Sequence, residues 1–247
     1  NGEVNDDGLI TVGGWPLSNW NRKPNGILTF PEVLQVSSNV AMVKIMKKLN
    51  ANNYWQWLRR LGIDEIPETD LPGAVGGQIK SKQIFINQPI EPAVTAFGQG
   101  FSITPLKLAQ LHALIANGGK LVTPHITKGL KGDNESYFNT PPESKQVLSP
   151  EVTNTVLGWM ETVVLFYEEN GIEANVPGYR IGGKTGTAQM TSSSTENLIS
   201  WFAGYVEYHN DLMSILVMVE DTDSNTKGVA KKISKEIIDF QLFRAKK

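Results

Sequence analysis

The stretch GYRIGGKTGTAQ, residues 178–189, carries a lysine, two threonines and several glycines in an order that serves two different chemistries. Gly178, Gly183, Lys184 and Thr185 fit the phosphate-loop pattern G-x-x-x-x-G-K-[ST], in which backbone N–H groups and the lysine cradle phosphates. Lys184-Thr185-Gly186 is equally a Lys-Thr-Gly triplet, a signature of serine enzymes that transfer acyl groups. Far upstream, Ser37-Ser38-Asn39 sets a hydroxyl and an amide two residues apart, a Ser-x-Asn. A hydroxyl both donates and accepts, and a carboxamide does so at its two ends.

Each reading demands different supporting elements. A phosphate loop needs a strand before Gly178 and a helix after Thr185, because the helix N-terminus points its free N–H groups at the phosphates. The preceding EENGIEANVP is turn-like, and the following TGTAQMTSSSTEN has three serines in a row and β-prone threonines. No helix of useful length is expected there, so a nucleotide is not expected as a ligand. In the serine enzymes that carry the triplet, it lies on a strand and a Ser-x-Asn lies in a connection between helices.

The pattern of the chain provides both. Thr29-Phe30-Pro31-Glu32 reads as a helix start, and Ser37-Ser38-Asn39 interrupts the apolar spacing that follows, which predicts a break between two helices. A further helix is expected over Asn53–Leu61, ended by Gly62. Thr104 and Pro105 open the clearest helix, apolar nearly all round and so expected to be buried, with Gly118-Gly119 as its stop. Ser149-Pro150 opens another. Tyr179–Met190, Ile199–Tyr208 and Leu212–Glu220 read as strands, the last two joined by a hairpin turn at His209-Asn210-Asp211. Apolar residues on both faces (Trp201, Ala203 and Tyr205 against Phe202 and Val206) call for helices on both sides. Val229, Ile233 and Ile237 mark a closing helix. Residues 1–23 read as an irregular leading segment of loops and short extended pieces, and 62–103 as a long connection of the kind that often binds ligands. The expected class is α+β in a single domain over residues 1–247, an antiparallel β-sheet flanked by helices on both faces.

Composition narrows the function further. A net charge of −2 gives no field toward nucleic acid, and the basic pairs are scattered. There is no cysteine, which excludes thiol catalysis, disulfides and thiolate metal sites. His112, His125 and His209 make no metal-ligand spacing, and neither a metal nor a cofactor is expected. No apolar run approaches the ~20 residues that span a bilayer. The opening NGEVNDDG is polar and acidic, unlike a signal peptide, and reads as the interior of a longer sequence.

GKTGTAQ, SSNVAMVKI, AFGQGFSITPLKLAQLHALIANGG (96–119) and SWFAGYV (200–206) together resemble the transpeptidase domain of bacterial class B penicillin-binding proteins, from about residue 24 to the closing helix. The resemblance implies a penicilloyl-serine transferase fold, like that of β-lactamases and transpeptidases. It implies a D,D-transpeptidase that cross-links peptidoglycan stem peptides ending in D-Ala-D-Ala outside the cytoplasmic membrane, inhibited by β-lactams and usually working with a membrane glycosyltransferase. Carried over by position, Ser37 would relay a proton, Asn39 would bind the substrate amide, and Lys184 would supply positive potential. Thr185 and Thr187 would bind the terminal carboxylate, Gly186 would leave room for substrate along the strand, and the Thr187 N–H would serve the oxyanion. Taken singly, Ser37 and Asn39 read as caps of a helix break and Lys184 as a solvated strand-end lysine.

The family's Ser-x-x-K, which supplies the nucleophile and its base, is absent before Ser37. The sole match, Ser224-Asn225-Thr226-Lys227, lies in a polar connection with the wrong order and setting. The expectation is therefore a partial domain, inactive alone, with the membrane anchor, the first strands and the nucleophile helix upstream, and with Leu212–Glu220 left as an open sheet edge. Two alternatives stand beside it. One is a serine β-lactamase or D,D-carboxypeptidase; the other is a scaffold or β-lactam sensor without a nucleophile.

Overall fold

The computed structural model describes residues 2–140, 142–170, 175–189, 198–208, 211–222 and 229–245. Its first third is built from paired strands that lead into a broken helix. β1 (Glu3–Asp6) pairs antiparallel with β4 (Gly26–Thr29), and between them β2 (Leu9–Val12) pairs with β3 (Trp15–Ser18). The short extended pieces expected over residues 1–23 are thus present as paired strands, so the segment is more regular than expected. Gly13 and Gly14, at φ +55° and +86°, supply the two left-handed positions of a tight hairpin, and Val12 is buried while Leu9 and Trp15 face outward.

Local chemistry then dictates where helices start and stop. In α1 (Phe30–Gln35), Glu32 Oε2 accepts from the Thr29 N–H and hydroxyl, each at 2.7 Å, which closes a capping box. The helix ends at Ser37, a non-glycine residue at φ +55°. Ser38 caps α2 (Asn39–Met46), its Oγ accepting from the Ala41 N–H at 2.9 Å. The helix break expected at Ser37-Ser38-Asn39 is present. α3 (Ala51–Arg60) starts from the Asn50 cap. The connection 62–103 is less open than its sequence indicates, since it holds α4 (Lys82–Asn87) and α5 (Ile90–Thr95). Both are too short to show a period; Phe85 and Ala93 anchor them in the core.

α6 (Pro105–Ala116) starts at the Thr104 cap, as expected. It is not buried all round: Lys107, Gln110 and Leu114 are its buried residues, while Leu108, Leu111 and Ile115 are half-buried. Two small strand pairs follow, β5 (Lys120–Leu121) with β8 (Lys145–Gln146) and β6 (Gly129–Lys131) with β7 (Ser136–Phe138). Then comes α7 (Pro150–Glu169), capped by Ser149.

The main sheet has the order β11-β10-β9, all antiparallel, from β9 (Arg180–Gln189), β10 (Leu198–Tyr208) and β11 (Asp211–Thr222). α8 (Val229–Ala245) closes the chain. His209 and Asn210 of the expected hairpin turn, and Ser224–Lys227, lie outside the described residues. Both faces of the sheet are covered, as its two apolar faces require. Tyr205 packs with Leu157 and Met160 of α7 and with Ile115 of α6. On the other face Ile181 and Val206 cluster with Ile238 of α8. Val163, Val164 and Tyr167, from the second half of α7, join that same cluster. α7 therefore meets both faces at the β9 side, and β11 forms the opposite edge of the described sheet. No helix among the described residues is long and apolar enough to cross a membrane.

Candidate active site

Lys184, Thr185 and Gly186 lie within β9, where they pair with Ala203, Phe202 and Trp201 of β10. The strand runs on to Gln189. Thr185 sits within the strand and not at a helix N-terminus, unlike the geometry of a phosphate loop. Among the described residues β9 has a strand partner on one side only, which leaves alternate backbone N–H and C=O groups of this segment directed away from the described sheet.

Two side chains from helices, Tyr167 and Lys231, gather beside the triplet. The Tyr167 hydroxyl, from α7, shares a hydrogen bond with Thr185 Oγ1 at 2.8 Å. Burial pushes the Tyr167 phenol up, so it remains protonated at neutral pH. The Lys231 ammonium of α8 stands 4.1 Å from the centre of the Tyr167 ring, a cation–π contact. Lys184 Nζ donates to the Thr185 carbonyl at 2.9 Å. Burial first, and the nearby Lys231 second, bring the Lys184 ammonium down to about 8. Burial alone brings Lys231 to about 8. Lys184 is thus no solvated strand-end lysine. It holds a proton that it can lose near physiological pH, inside a patch of positive potential.

Gly186 has a structural occupant beside it. A Cβ at this position would run into the Trp201 indole, its cross-strand neighbour. The missing side chain makes room for that ring, a structural reason for glycine here that stands beside the expected one. Thr187, opposite Ser200, is exposed.

The Ser-x-Asn corner is built from the other end of the chain. Asp6 is completely buried. Its carboxylate accepts from Ser38 Oγ at 2.7 Å, from Asn25 Nδ2 at 2.6 Å, from Asn19 Nδ2 at 2.8 and 2.9 Å, and from the Gly8 N–H at 2.8 Å. Burial works to raise this carboxyl, and those hydrogen bonds, led by Ser38 and Asn25, outweigh it and hold it below the ordinary range. Asn19 Oδ1 accepts from the Val40 N–H at 3.2 Å, a second tie to the start of α2. Asn39 Nδ2 donates to the Ser18 carbonyl at 3.1 Å, which commits one of its two N–H groups. Ser37 is half-buried, and among the described residues its hydroxyl makes no hydrogen bond.

No hydrogen bond or ion pair among the described residues joins Ser37 or Asn39 to residues 184–187. The two groups are linked at one remove through α7. Leu34, three residues before Ser37, packs against the cluster that holds Ile181, Val163 and Tyr167. Gln35 Nε2 donates to the Thr162 carbonyl at 3.5 Å, and the rings of Phe30 and Trp159 lie 5.9 Å apart. Asp6, Asn19, Tyr167 and Lys231 were not singled out by sequence. Asp6 and Asn19 fall in the leading segment read as loops and short extended pieces, Tyr167 carries no signal of its own, and Lys231-Lys232 reads as a basic pair on a solvated helix face, whereas Lys231 is buried.

Comparison with known proteins bears on the family and the fold. The family profile of the penicillin binding protein transpeptidase domain matches residues 1–239. A peptidoglycan D,D-transpeptidase FtsI homolog of Mesostigma viride is 34% identical over 94% of this chain and 44% of its own length. The transpeptidase domain of Burkholderia pseudomallei penicillin-binding protein 3 superposes with a TM-score of 0.77 at 26% identity, covering 94% of this chain and 67% of that one. Penicillin binding protein 3 of Mycobacterium tuberculosis, solved in complex with ampicillin, gives a TM-score of 0.83 at 24% identity, over 98% of this chain and 57% of that one, and shows the shared fold. The chain spans about half or less of the length of the curated relatives it matches.

Proposed function

The chain belongs to the penicillin binding protein transpeptidase family, and from that premise we propose that the full-length protein is a serine D,D-transpeptidase of peptidoglycan synthesis. The observation that carries the reading is the setting of Lys184: on the edge strand of the described sheet, half-buried, depressed to about 8, with a second lysine beside it. Such a group suits an anionic substrate end and a proton relay, which are the two tasks of this chemistry.

In the reaction, a serine hydroxyl attacks the carbonyl of the penultimate D-Ala and expels the terminal D-Ala as an amine. An amine of a second stem peptide then takes the acyl group and frees the serine. The nucleophile and its base stand in a Ser-x-x-K outside residues 1–247. Ser37 passes a proton toward the departing amine, and Asn39 orients the donor peptide with the amide atoms that Ser18 leaves unused. Lys184 and Thr185 face the terminal carboxylate, and Thr187 contributes an N–H to the oxyanion, worth about 2.7–4 kcal/mol. β-Lactams acylate the same serine. The protein works at the extracytoplasmic face of the cytoplasmic membrane, held by an anchor outside this chain, with a membrane glycosyltransferase as partner.

Labelling of the full-length protein with a fluorescent penicillin tests this. Wild type is expected to form a stable covalent adduct, and Lys184→Ala to form it at least ~10²-fold more slowly. A wild type that takes no label makes the protein a non-catalytic scaffold, and one that hydrolyses the penicillin rapidly makes it a β-lactamase.

A further inference from the structure

We propose that Asp6 is a positioning residue of the Ser37–Asn39 corner, an inference that rests on the transpeptidase reading above. Asp6 is fully buried, yet no cation meets it among the described residues. It is held by neutral donors alone, drawn from four residues: Gly8, Asn19, Asn25 and Ser38. An ionised carboxylate only accepts, so every partner must turn a hydrogen toward it.

That requirement fixes two orientations at the corner. Ser38 Oγ accepts from the Ala41 N–H, and its own hydrogen goes to Asp6. Asn19 directs its NH₂ at Asp6 and at the Lys23 carbonyl, which leaves Oδ1 for the Val40 N–H. Ser38 is the residue between the two candidate site residues. Locking it at its hydroxyl sets the direction of both neighbours, and Ser37 is held in the left-handed region, at φ +55°, where non-glycine residues rarely settle unaided. Asp6→Asn keeps the volume but brings an NH₂ into a ring of donors, so at least one partner must turn away.

The test compares acylation of the full-length protein by fluorescent penicillin in wild type, Asp6→Asn, Ser38→Ala and Ser38→Thr, with a melting curve for each. Binding before acylation and the acylation step are resolved by varying the penicillin concentration. A positioning role predicts that Asp6→Asn and Ser38→Ala slow the acylation step by about 10–100-fold, while binding changes by less than about 3-fold. Ser38→Thr, which keeps the hydroxyl, stays within about 5-fold of wild type. Ile63→Val and Leu58→Ala, in the separate cluster with Phe85, give controls of matched melting temperature and are expected to acylate normally. The inference is overturned if Asp6→Asn acylates like wild type, or if a control of equal melting temperature loses as much. It also falls if Ser38→Thr fails as badly as Ser38→Ala. A wild type that takes no label refutes the transpeptidase reading, and the Asp6 assignment falls with it; normal labelling in both wild type and Asp6→Asn refutes only the latter.

Discussion

The Lys231 ammonium lies 4.1 Å from the centre of the Tyr167 ring, and the hydroxyl of that tyrosine meets Thr185 Oγ1 at 2.8 Å. One aromatic side chain thus connects a lysine of the closing helix to the strand that carries Lys184. No described carboxylate forms an ion pair with either lysine. Lys231→Met should remove the unpaired charge and keep most of the volume. We expect the Lys184 ammonium to rise from about 8 by the smaller share that Lys231 contributes, burial still holding it below its ordinary 10.5, and stability at pH 7 to increase by on the order of 1 kcal/mol. Titration of the lysine Nζ resonances, with urea unfolding alongside, checks both; an unmoved Lys184 would show that the two charges do not communicate.

The same pair sets a pH dependence. Lys184 and Lys231 titrate near about 8 in the folded chain and near 10.5 when unfolded. Between those values the unfolded chain binds more protons, so this contribution to stability grows as pH rises. Below pH 8 both states are protonated and the contribution is constant. Tyr54, pushed up to about 12 by burial, acts in the opposite sense above about pH 10, where only the unfolded tyrosine ionises. Urea midpoints should climb from pH 7.5 to 9.5 and then turn over. Lys231→Met should flatten the climb; a wild-type midpoint that falls across that range contradicts the burial of these lysines.

Ser37 separates stability from activity. Its left-handed backbone costs on the order of 1 kcal/mol that glycine does not incur. Ser37→Gly should therefore melt at or above the wild-type temperature. The same variant should acylate about 10²–10⁴-fold more slowly, since the relay hydroxyl is gone. Calorimetry and penicillin labelling on one preparation decide it. A variant that is both less stable and fully active would place the hydroxyl in the structure and outside the chemistry.

Gly186→Ala should destabilise by about 1–3 kcal/mol through overpacking against Trp201. Because the clash is with a side chain, the cost should shrink in the background of Trp201→Leu, giving a favourable coupling in a double-mutant cycle. Additive losses would mean that the indole already moves freely away from β9.

Much of this was legible in the sequence for a local reason. Thr29 with Glu32, and Ser38 after the reversal at Ser37, are capping chemistry confined to a few residues. The alternating apolar residues of β10 fix two packed faces without reference to any other element. What stayed hidden depends on closure in space. Asp6 meets Asn19, Asn25 and Ser38 only after two strand pairs form, and its local sequence signals a turn. Lys231 looks like one of several lysines on an amphipathic helix until α8 docks beside Tyr167. α6 misled in the other direction: its apolar residues predict full burial, while the packing around it half-buries most of them.

The attachment of the first hairpins to the corner has a practical result for anyone dividing this protein. A boundary drawn just before the best-matching stretches, near residue 24, would discard Asp6 and Asn19 along with what looks like dispensable leader. α2 would then begin with an unanchored cap, and the Ser37–Asn39 corner before it would lose its hydrogen-bonded support. A shortened version could keep every motif residue and still present them in the wrong directions.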